Sequence, residues 1–362
     1  MAEFKKMIEH KTIVVTGGAG FVGSSLIHTL RRTTDSRIIA FDNLRRRGSE
    51  LNLERFKDSG VEFVHGDVRL PSDWESLPAF DLLIDCSAEP SVTQGTTGSG
   101  WPLIENNLVS TAHCLEAARR NDAALMLLST SRIYPIRSLE SLTWEEQETR
   151  YAWLDEQPLP GVSSQGVSEL FPLQGARSLY GATKLASEYL LQEYHYLHGM
   201  PVMVNRCGVL AGPWQMGKVD QGVVSLWVAR HYFEKPLCYK GFGGTGKQVR
   251  DVLHIDDFSD LLLEQLKHKE KWDATPYNVG GGLSSSTSLL ELTRLCREVT
   301  GHSFELAKEE KTSEVDLRIY LTDNSRVSQE FNWKPKRNMQ DIVESIYHWI
   351  DQSPPGLQKI LG

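Results

Sequence analysis

Short aliphatic and β-branched runs recur along the chain at 12–16, 37–41, 61–64, 82–85, 124–129 and 201–206, with polar, amphipathic stretches between them. Each run is too short for a helix and reads as a strand buried on both faces. The segments at 49–59, 106–120 and 178–198 carry apolar residues at helical spacing. The last is closed by Gly199, with Pro201 just beyond. This alternation predicts an α/β fold, a doubly wound parallel sheet of the Rossmann type with helices on both faces. After Arg206 the alternation loosens into a Gly-, Trp- and aromatic-rich region with helical segments at 289–299 and 339–349, which predicts a smaller carboxy-terminal α/β lobe. The expected division is a sheet domain at 1–206 with a return segment near 251–280, and a lobe made of 207–250 and 281–362. Residues 140–175, rich in Glu, Gln, Pro and Ser, read as a long irregular insert, and loops of that length are functional or mobile.

A length of 362 residues fits two domains, and 40% apolar with 24% charged residues is ordinary globular usage. Thirty-nine basic against 47 acidic side chains leave a net charge of −8, which excludes nucleic acid as an expected partner. The five cysteines form no CxxC pair and are odd in number, so neither a metal site nor a disulfide framework is expected. No apolar run reaches membrane-spanning length, and residues 1–10 lack the apolar core of a signal peptide, so no membrane partner and a cytoplasmic location are expected.

Directly after the first strand stands Gly17-Gly-Ala-Gly20-Phe-Val-Gly23. Glycines at this spacing allow a tight turn and close approach to a pyrophosphate, and the amides of a helix beginning near Phe21 attract its charge. The second strand ends at Asp42, where a carboxylate can accept hydrogen bonds from the adenosine ribose hydroxyls, a preference for NAD over NADP. Arg45-Arg46-Arg47 reads as a solvated loop, with contact to a 2′-phosphate the lesser alternative. Asp67, after the third strand, either meets the adenine amino group or caps the next helix.

The chemistry is expected at Tyr180-Gly-Ala-Thr-Lys184. Four residues apart on a helix, phenol and ammonium share one face, and the cation draws the phenol down from its ordinary value of about 10 toward neutrality. Tyr180 is thereby a usable base. Thr130 ends the fifth strand, at the carboxyl edge where open α/β sheets bind ligands, and its hydroxyl can hold a substrate oxygen.

These segments, together with Asn107 in Asn-x-x-Ser-Thr, Arg250-Asp251 and Tyr277-Asn-Val-Gly280, resemble an extended short-chain dehydrogenase/reductase of the NAD-dependent epimerase/dehydratase family. The resemblance implies that Gly17, Gly20, Phe21, Val22 and Gly23 receive NAD, with Asp42, Asn43, Asp67 and Val68 toward its adenosine. It implies Ala88, Asn107 and Lys184 as further NAD contacts, and Thr130, Tyr180 and Lys184 as the catalytic set. The implied substrate is a nucleotide-diphosphate sugar, held by Thr130, Asp220, Gln221, Arg250 and Arg318, in a homodimer or homotetramer built from the 106–120 and 178–198 helices. Two positions depart from the pattern: Asp85-Cys86-Ser87-Ala88 replaces the family's His-Leu-Ala-Ala, and Pro135 rather than Gly follows Tyr134. Ser131-Arg132 stands where family 4,6-dehydratases carry Asp-Glu, and decarboxylases carry Glu at the position of Arg132. Epimerisation is then the expected reaction, most like that of the family's CDP-deoxyhexose 2-epimerases. A 4-epimerase or reductase of the family, and a silent NAD-binding sensor, are the alternatives.

Overall fold

The computed structural model describes residues 10–57, 59–96, 98–217 and 222–361. Asp220 and Gln221 lie outside the described residues. The aliphatic runs pair edge to edge in a seven-stranded Rossmann-like sheet flanked by helices, ordered Asp273–Val279, Val202–Cys207, Ala124–Thr130, Leu82–Asp85, Thr12–Thr16, Arg37–Asp42 and Val61–His65. Thr12–Thr16 pairs parallel on both sides, Val14 facing Ile39 on one and Leu83 on the other. Val14, Ile39, Phe41, Leu83, Leu125 and Leu127 belong to one buried cluster, closed by Leu115 of the Ser110–Arg120 helix. Burying each such side chain contributes roughly 1.5–3 kcal/mol, so the strand runs dominate the stability of this layer. The strand order reverses between Thr12–Thr16 and Leu82–Asp85, which is where an open α/β sheet leaves a crevice at its carboxyl edge.

Two of the expected helices differ from the sequence reading. The 49–59 segment yields only a 3-10 turn, Ser49–Leu51, and a short helix, Asn52–Phe56, because Gly48 enters at φ 95° and Lys57 turns extended at ψ 139°. The 106–120 helix begins earlier, at Trp101, and contains a π-turn over Ile104–Val109 before Ser110–Arg120 continues as α-helix.

By contact density the chain forms two compact units. One holds the residues up to Thr130 with Leu179–Arg206 and Ser259–Tyr277; the other holds Ser131–Ser178, Cys207–Phe258 and Asn278–Gly362. In the second unit Val249–His254 pairs with Val209–Ala211, Ser286–Ser288 and Ile319–Tyr320. The helices Leu289–Thr300 and Met339–Asp351 both open on capping boxes, Ser288 with Glu291 and Asn338 with Asp341. The 140–175 insert is built rather than irregular. Trp144–Glu146 and Tyr151–Trp153 form an antiparallel hairpin, and Val162–Ser163 pairs with Gly166–Val167. Its anchors are distant in sequence: Arg150 pairs with Glu291 at 2.5 Å, Lys247 with Glu146 at 2.8 Å, and Asn278 Nδ2 donates to the Val167 carbonyl at 2.9 Å.

Candidate active site

The glycine turn sits at the point of strand reversal. Gly17 has φ +60°, and a Cβ there would lie 2.8 Å from the Cys86 carbonyl oxygen, at the end of the neighbouring strand. A Cβ on Gly23 would lie 2.3 Å from the Gly17 oxygen. Space forbids a side chain at both positions, and at Gly17 the left-handed conformation forbids it as well. The Gly20 N–H donates to the Gly17 carbonyl at 2.9 Å, and the Phe21–Thr33 helix starts at the next residue with no side chain capping its amides. A cradle that any Cβ would fill, opening on bare helix amides, fits a pyrophosphate.

Asp42, half-buried at the end of its strand, accepts the Ala19 N–H at 3.1 Å on Oδ2 and the Leu44 N–H at 2.7 Å on Oδ1. Burial raises its carboxyl above the ordinary value, against the pull of those two amides. Each oxygen keeps a lone pair. Asn43 Nδ2 donates to Asp67 Oδ2 at 3.0 Å, and Arg69 reaches both Asp67 oxygens, at 2.8 and 2.6 Å, while also pairing with Glu105 at 3.0 Å. The Arg69 hydrogen bonds hold the Asp67 carboxyl far below the usual range. Asp67 is thus well supplied with protein donors, and its neighbour Val68 is buried, its carbonyl accepting from Trp74 Nε1 at 3.0 Å.

The departure at 85–88 has a physical account. Asp85 is 1% exposed, and its Oδ1 accepts from Thr16 Oγ1 at 2.7 Å and from Ser87 Oγ at 2.6 Å. The carboxylate stitches the ends of two neighbouring strands together and sets the loop that carries Cys86 and the exposed Ala88. Asn107, in the π-turn, is buried. Its Oδ1 accepts the Glu89 N–H at 2.8 Å, and its Nδ2 donates to the Glu89 carbonyl at 3.1 Å and Thr183 Oγ1 at 3.3 Å. In this arrangement Asn107 ties the same loop to the helix Leu179–His198.

That helix carries Tyr180 and Lys184 one turn apart, with Tyr180 half-buried and Lys184 buried. One turn further lies Glu188, 1% exposed, paired with the buried Arg206 at 2.8 Å. Glu188 also accepts a short hydrogen bond from Ser129 Oγ, the residue before Thr130. Buried on the Tyr180–Lys184 face, Glu188 therefore joins this helix to the strand Val202–Cys207 through Arg206 and to the strand ending at Thr130 through Ser129. The helix stops at Gly199, φ +62°, whose N–H caps the His195 carbonyl at 2.8 Å.

In the second unit Arg250 and Arg318 come together, since Val249 N–H donates to the Arg318 carbonyl at 2.9 Å. Arg250 Nη2 reaches Asp316 Oδ1 at 2.8 Å and the Leu317 carbonyl at 2.7 Å, and Arg132 Nη1 reaches the Val315 carbonyl at 3.2 Å. Three arginines gather on residues 315–318. Arg318 pairs with Glu140 at 2.9 Å and lies over Trp144, Phe242 and Tyr151, with ring centroids at 4.3, 5.1 and 5.5 Å. Tyr134, which precedes Pro135, is buried and donates to Asn278 Oδ1 at 2.8 Å. Sequence reasoning passed over Glu188, Arg206, Arg69 and the three rings. Glu188 alone left a signal: it stands eight residues after Tyr180, so helical spacing puts it on the reactive face.

Residues 13–280 match the NAD dependent epimerase/dehydratase family, and the chain belongs to it. It is 31% identical over 345 residues to a CDP-paratose 2-epimerase of Salmonella typhi, covering 93% of this chain and 98% of that protein. It is also 28% identical over 348 residues to a dTDP-glucose 4,6-dehydratase of Actinoplanes, covering 93% and 97% of the two chains. Among solved structures, a UDP-glucuronic acid 4-epimerase from Bacillus cereus superposes with a TM-score of 0.77 at 24% identity, over 94% of this chain and 99% of that one, a likeness of fold. The chain is accordingly an NAD-dependent enzyme of the nucleotide-sugar epimerase and dehydratase class.

Proposed function

We propose that the protein inverts C2 of a CDP-deoxyhexose, of the CDP-paratose or CDP-tyvelose kind, by oxidising and re-reducing that carbon. The observation that carries this reading is Ser131-Arg132 directly after Thr130: the turn Ser131–Ile133 offers no carboxylate where elimination of water would need one, and Arg132 is instead spent on the Val315 carbonyl. The likeness to the CDP-paratose 2-epimerase along nearly its whole length supports the C2 choice over C4.

The bare amides of the glycine turn from Gly17 to Gly23, including Phe21 and Val22, receive the pyrophosphate of NAD. Asp42 takes the adenosine ribose on its remaining lone pairs, with Asn43, Asp67 and Val68 around the adenine. Ala88 and Asn107 shape the nicotinamide end, Asn107 by fixing the loop. NAD, when bound, accepts and returns the hydride of the sugar carbon. Tyr180 removes the C2 hydroxyl proton and gives it back, Lys184 stabilises the phenolate and reaches the nicotinamide ribose, and Thr130 donates to the substrate oxygen. Arg250 and Arg318 hold the diphosphate, and Asp220 and Gln221 complete the substrate contacts. The sugar must present its other face before re-reduction, so grip belongs on the diphosphate and room on the sugar.

The test is product analysis by NMR after incubation of CDP-paratose in deuterium oxide. Inversion at C2 without deuterium at C2 is expected, because the hydrogen returns by the route it left. Inversion at C4 with C2 untouched would defeat the C2 reading, and deuterium at C2 would defeat the redox route.

A homodimer or larger assembly is supported by the helix Leu179–His198, where Tyr189, Tyr196 and Leu197 are 51%, 83% and 65% exposed. Leu190 and Tyr194 turn toward the core instead. Light scattering at micromolar concentration is expected to give at least twice the chain mass, and a stable monomer would refute the assembly. All five cysteines are free, and none of the described helices is long and apolar enough to cross a membrane, which supports a cytoplasmic setting.

A further inference from the structure

The 144–153 hairpin has no part in the chemistry above, yet it encloses one of the two diphosphate arginines. Trp144 and Tyr151 meet edge to face at 5.1 Å and 75°, and Tyr151 meets Phe242 at 6.4 Å and 66°. The Arg318 guanidinium lies over all three rings. Glu140 takes the Arg318 backbone N–H at 2.6 Å and Nη1 at 2.9 Å. Nε is sealed from water without a hydrogen-bond partner, and Nη2 makes no hydrogen bond to any described residue. One edge of the guanidinium is thus anchored, its faces are covered, and the donors of Nη2 remain unspent.

The hairpin itself is held fast. Thr149 Oγ1 donates to Glu291 at 2.6 Å, Arg150 pairs with the same carboxylate, and Tyr151 N–H donates to the Lys247 carbonyl at 3.0 Å. A ring face attracts the cation but does not consume its hydrogen-bond donors, unlike a second carboxylate. Fixing the plane before the ligand arrives reduces the ordering that binding must impose on a long side chain.

We propose that Trp144 is a positioning residue for nucleotide recognition: with Tyr151 and Phe242 it fixes the Arg318 guanidinium so that Nη2 faces the substrate diphosphate. The proposal rests on the reading of Arg318 as a diphosphate ligand. It gives the 140–175 insert a task, since the hairpin supplies two of the three rings and residue 140 the carboxylate.

The test is a double-mutant cycle on the full-length protein, titrating CDP by calorimetry into the parent, Trp144→Ala, Arg318→Ala and the double variant. Loss of the ring is expected to weaken CDP about tenfold in the parent. In the Arg318→Ala background the same change is expected to have less than about a twofold effect, because the two residues act as one unit. Trp144→Phe should recover most of the affinity, and bound NAD should be the same in all variants. Equal losses in both backgrounds would overturn the proposal by showing that Trp144 acts without Arg318. So would an intact CDP affinity in Trp144→Ala while Arg318→Ala weakens binding. If Arg318→Ala leaves CDP binding unchanged, the diphosphate reading itself fails and the inference falls with it. Should Trp144→Ala not fold, Trp144→Leu keeps the bulk without the π-face and carries the same comparison.

Discussion

Arg206 and Arg318 each pair with a glutamate, and the two pairs do opposite things. Arg206 is 4% exposed, and its Nε and Nη2 are both spent on Glu188, which is 1% exposed. Arg318 is 26% exposed, gives Glu140 only Nη1 and its own backbone N–H, and rests its faces on rings. A buried, saturated pair has nothing left to offer a ligand; its effect is to lock the helix bearing Tyr180 and Lys184 against Val202–Cys207, while Ser129 ties the strand bearing Thr130 to the same carboxylate. A half-open pair with unspent donors costs less to desolvate and keeps its charge available. The first unit thus uses arginine as a bolt, and the second leaves one with donors unspent.

Removing the group that the bolt positions has the largest expected effect. Tyr180→Phe should lower kcat roughly 10⁴-fold while bound NAD, released by denaturation and measured by absorbance, stays at the parent level, because proton transfer is lost and the cofactor cradle is not. Near-normal turnover would remove Tyr180 from the catalytic set.

Breaking the bolt comes next. Glu188→Ala leaves Arg206 buried without its counter-charge and should destabilise the fold by about 3–5 kcal/mol, read from the urea midpoint. A loss below about 1 kcal/mol would mean that Arg206 finds other company and that the contrast with Arg318 is one of exposure only.

The smallest effect sharpens the comparison with a carboxylate that has no cation in hydrogen-bond reach. Asp251 is 0% exposed, and its Oδ2 accepts the Gly282 N–H at 2.9 Å. Burial raises it from 3.8 to about 6, against the pull of that amide and of Thr322. The folded state therefore binds the proton more tightly than the unfolded chain. Its contribution to stability is full below the unfolded value and is lost as pH rises through about 6, by up to about 3 kcal/mol at 1.36 kcal/mol per pH unit. Asp251→Asn should flatten the fall in stability between about pH 4 and 7 relative to the parent. Parallel pH profiles would refute it. Asp42 is raised in the same sense and remains in both proteins, so the difference isolates Asp251.

The sheet was legible because its strands are continuous apolar runs, and five buried residues at Ala124–Leu128 can hardly be anything else in so short a stretch. The glycine turn was equally plain, since its steric demand is local: Gly17, Gly20 and Gly23 answer to one another and to a neighbouring strand end. The hairpin was not legible. Its strands are three residues long, Trp144–Glu146 is exposed throughout, and the partners that hold it, Lys247 and Glu291, stand about 100 and 140 residues away. The Glu188–Arg206 pair was hidden for the same reason, because a charge on a helix reads as solvated until the strand beneath it is known. Of the predicted substrate arginines, Arg250 and Arg318 come together, but the sequence did not reveal that each already shares its charge with a carboxylate.

The π-turn at Ile104–Val109 has a consequence for how this chain tolerates change in length. One extra residue in a turn rotates everything before it by about 100° relative to everything after it. A helical wheel drawn through residues 101–120 without a break therefore assigns the wrong faces to one end. Deleting one residue there would restore a uniform α-helix and swing Asn107 off its two bonds to Glu89 and its bond to Thr183. A gap at this place would release the loop that Asp85 begins. Homologous chains that differ by a single residue between 101 and 110 should differ there in which asparagine, if any, closes the loop.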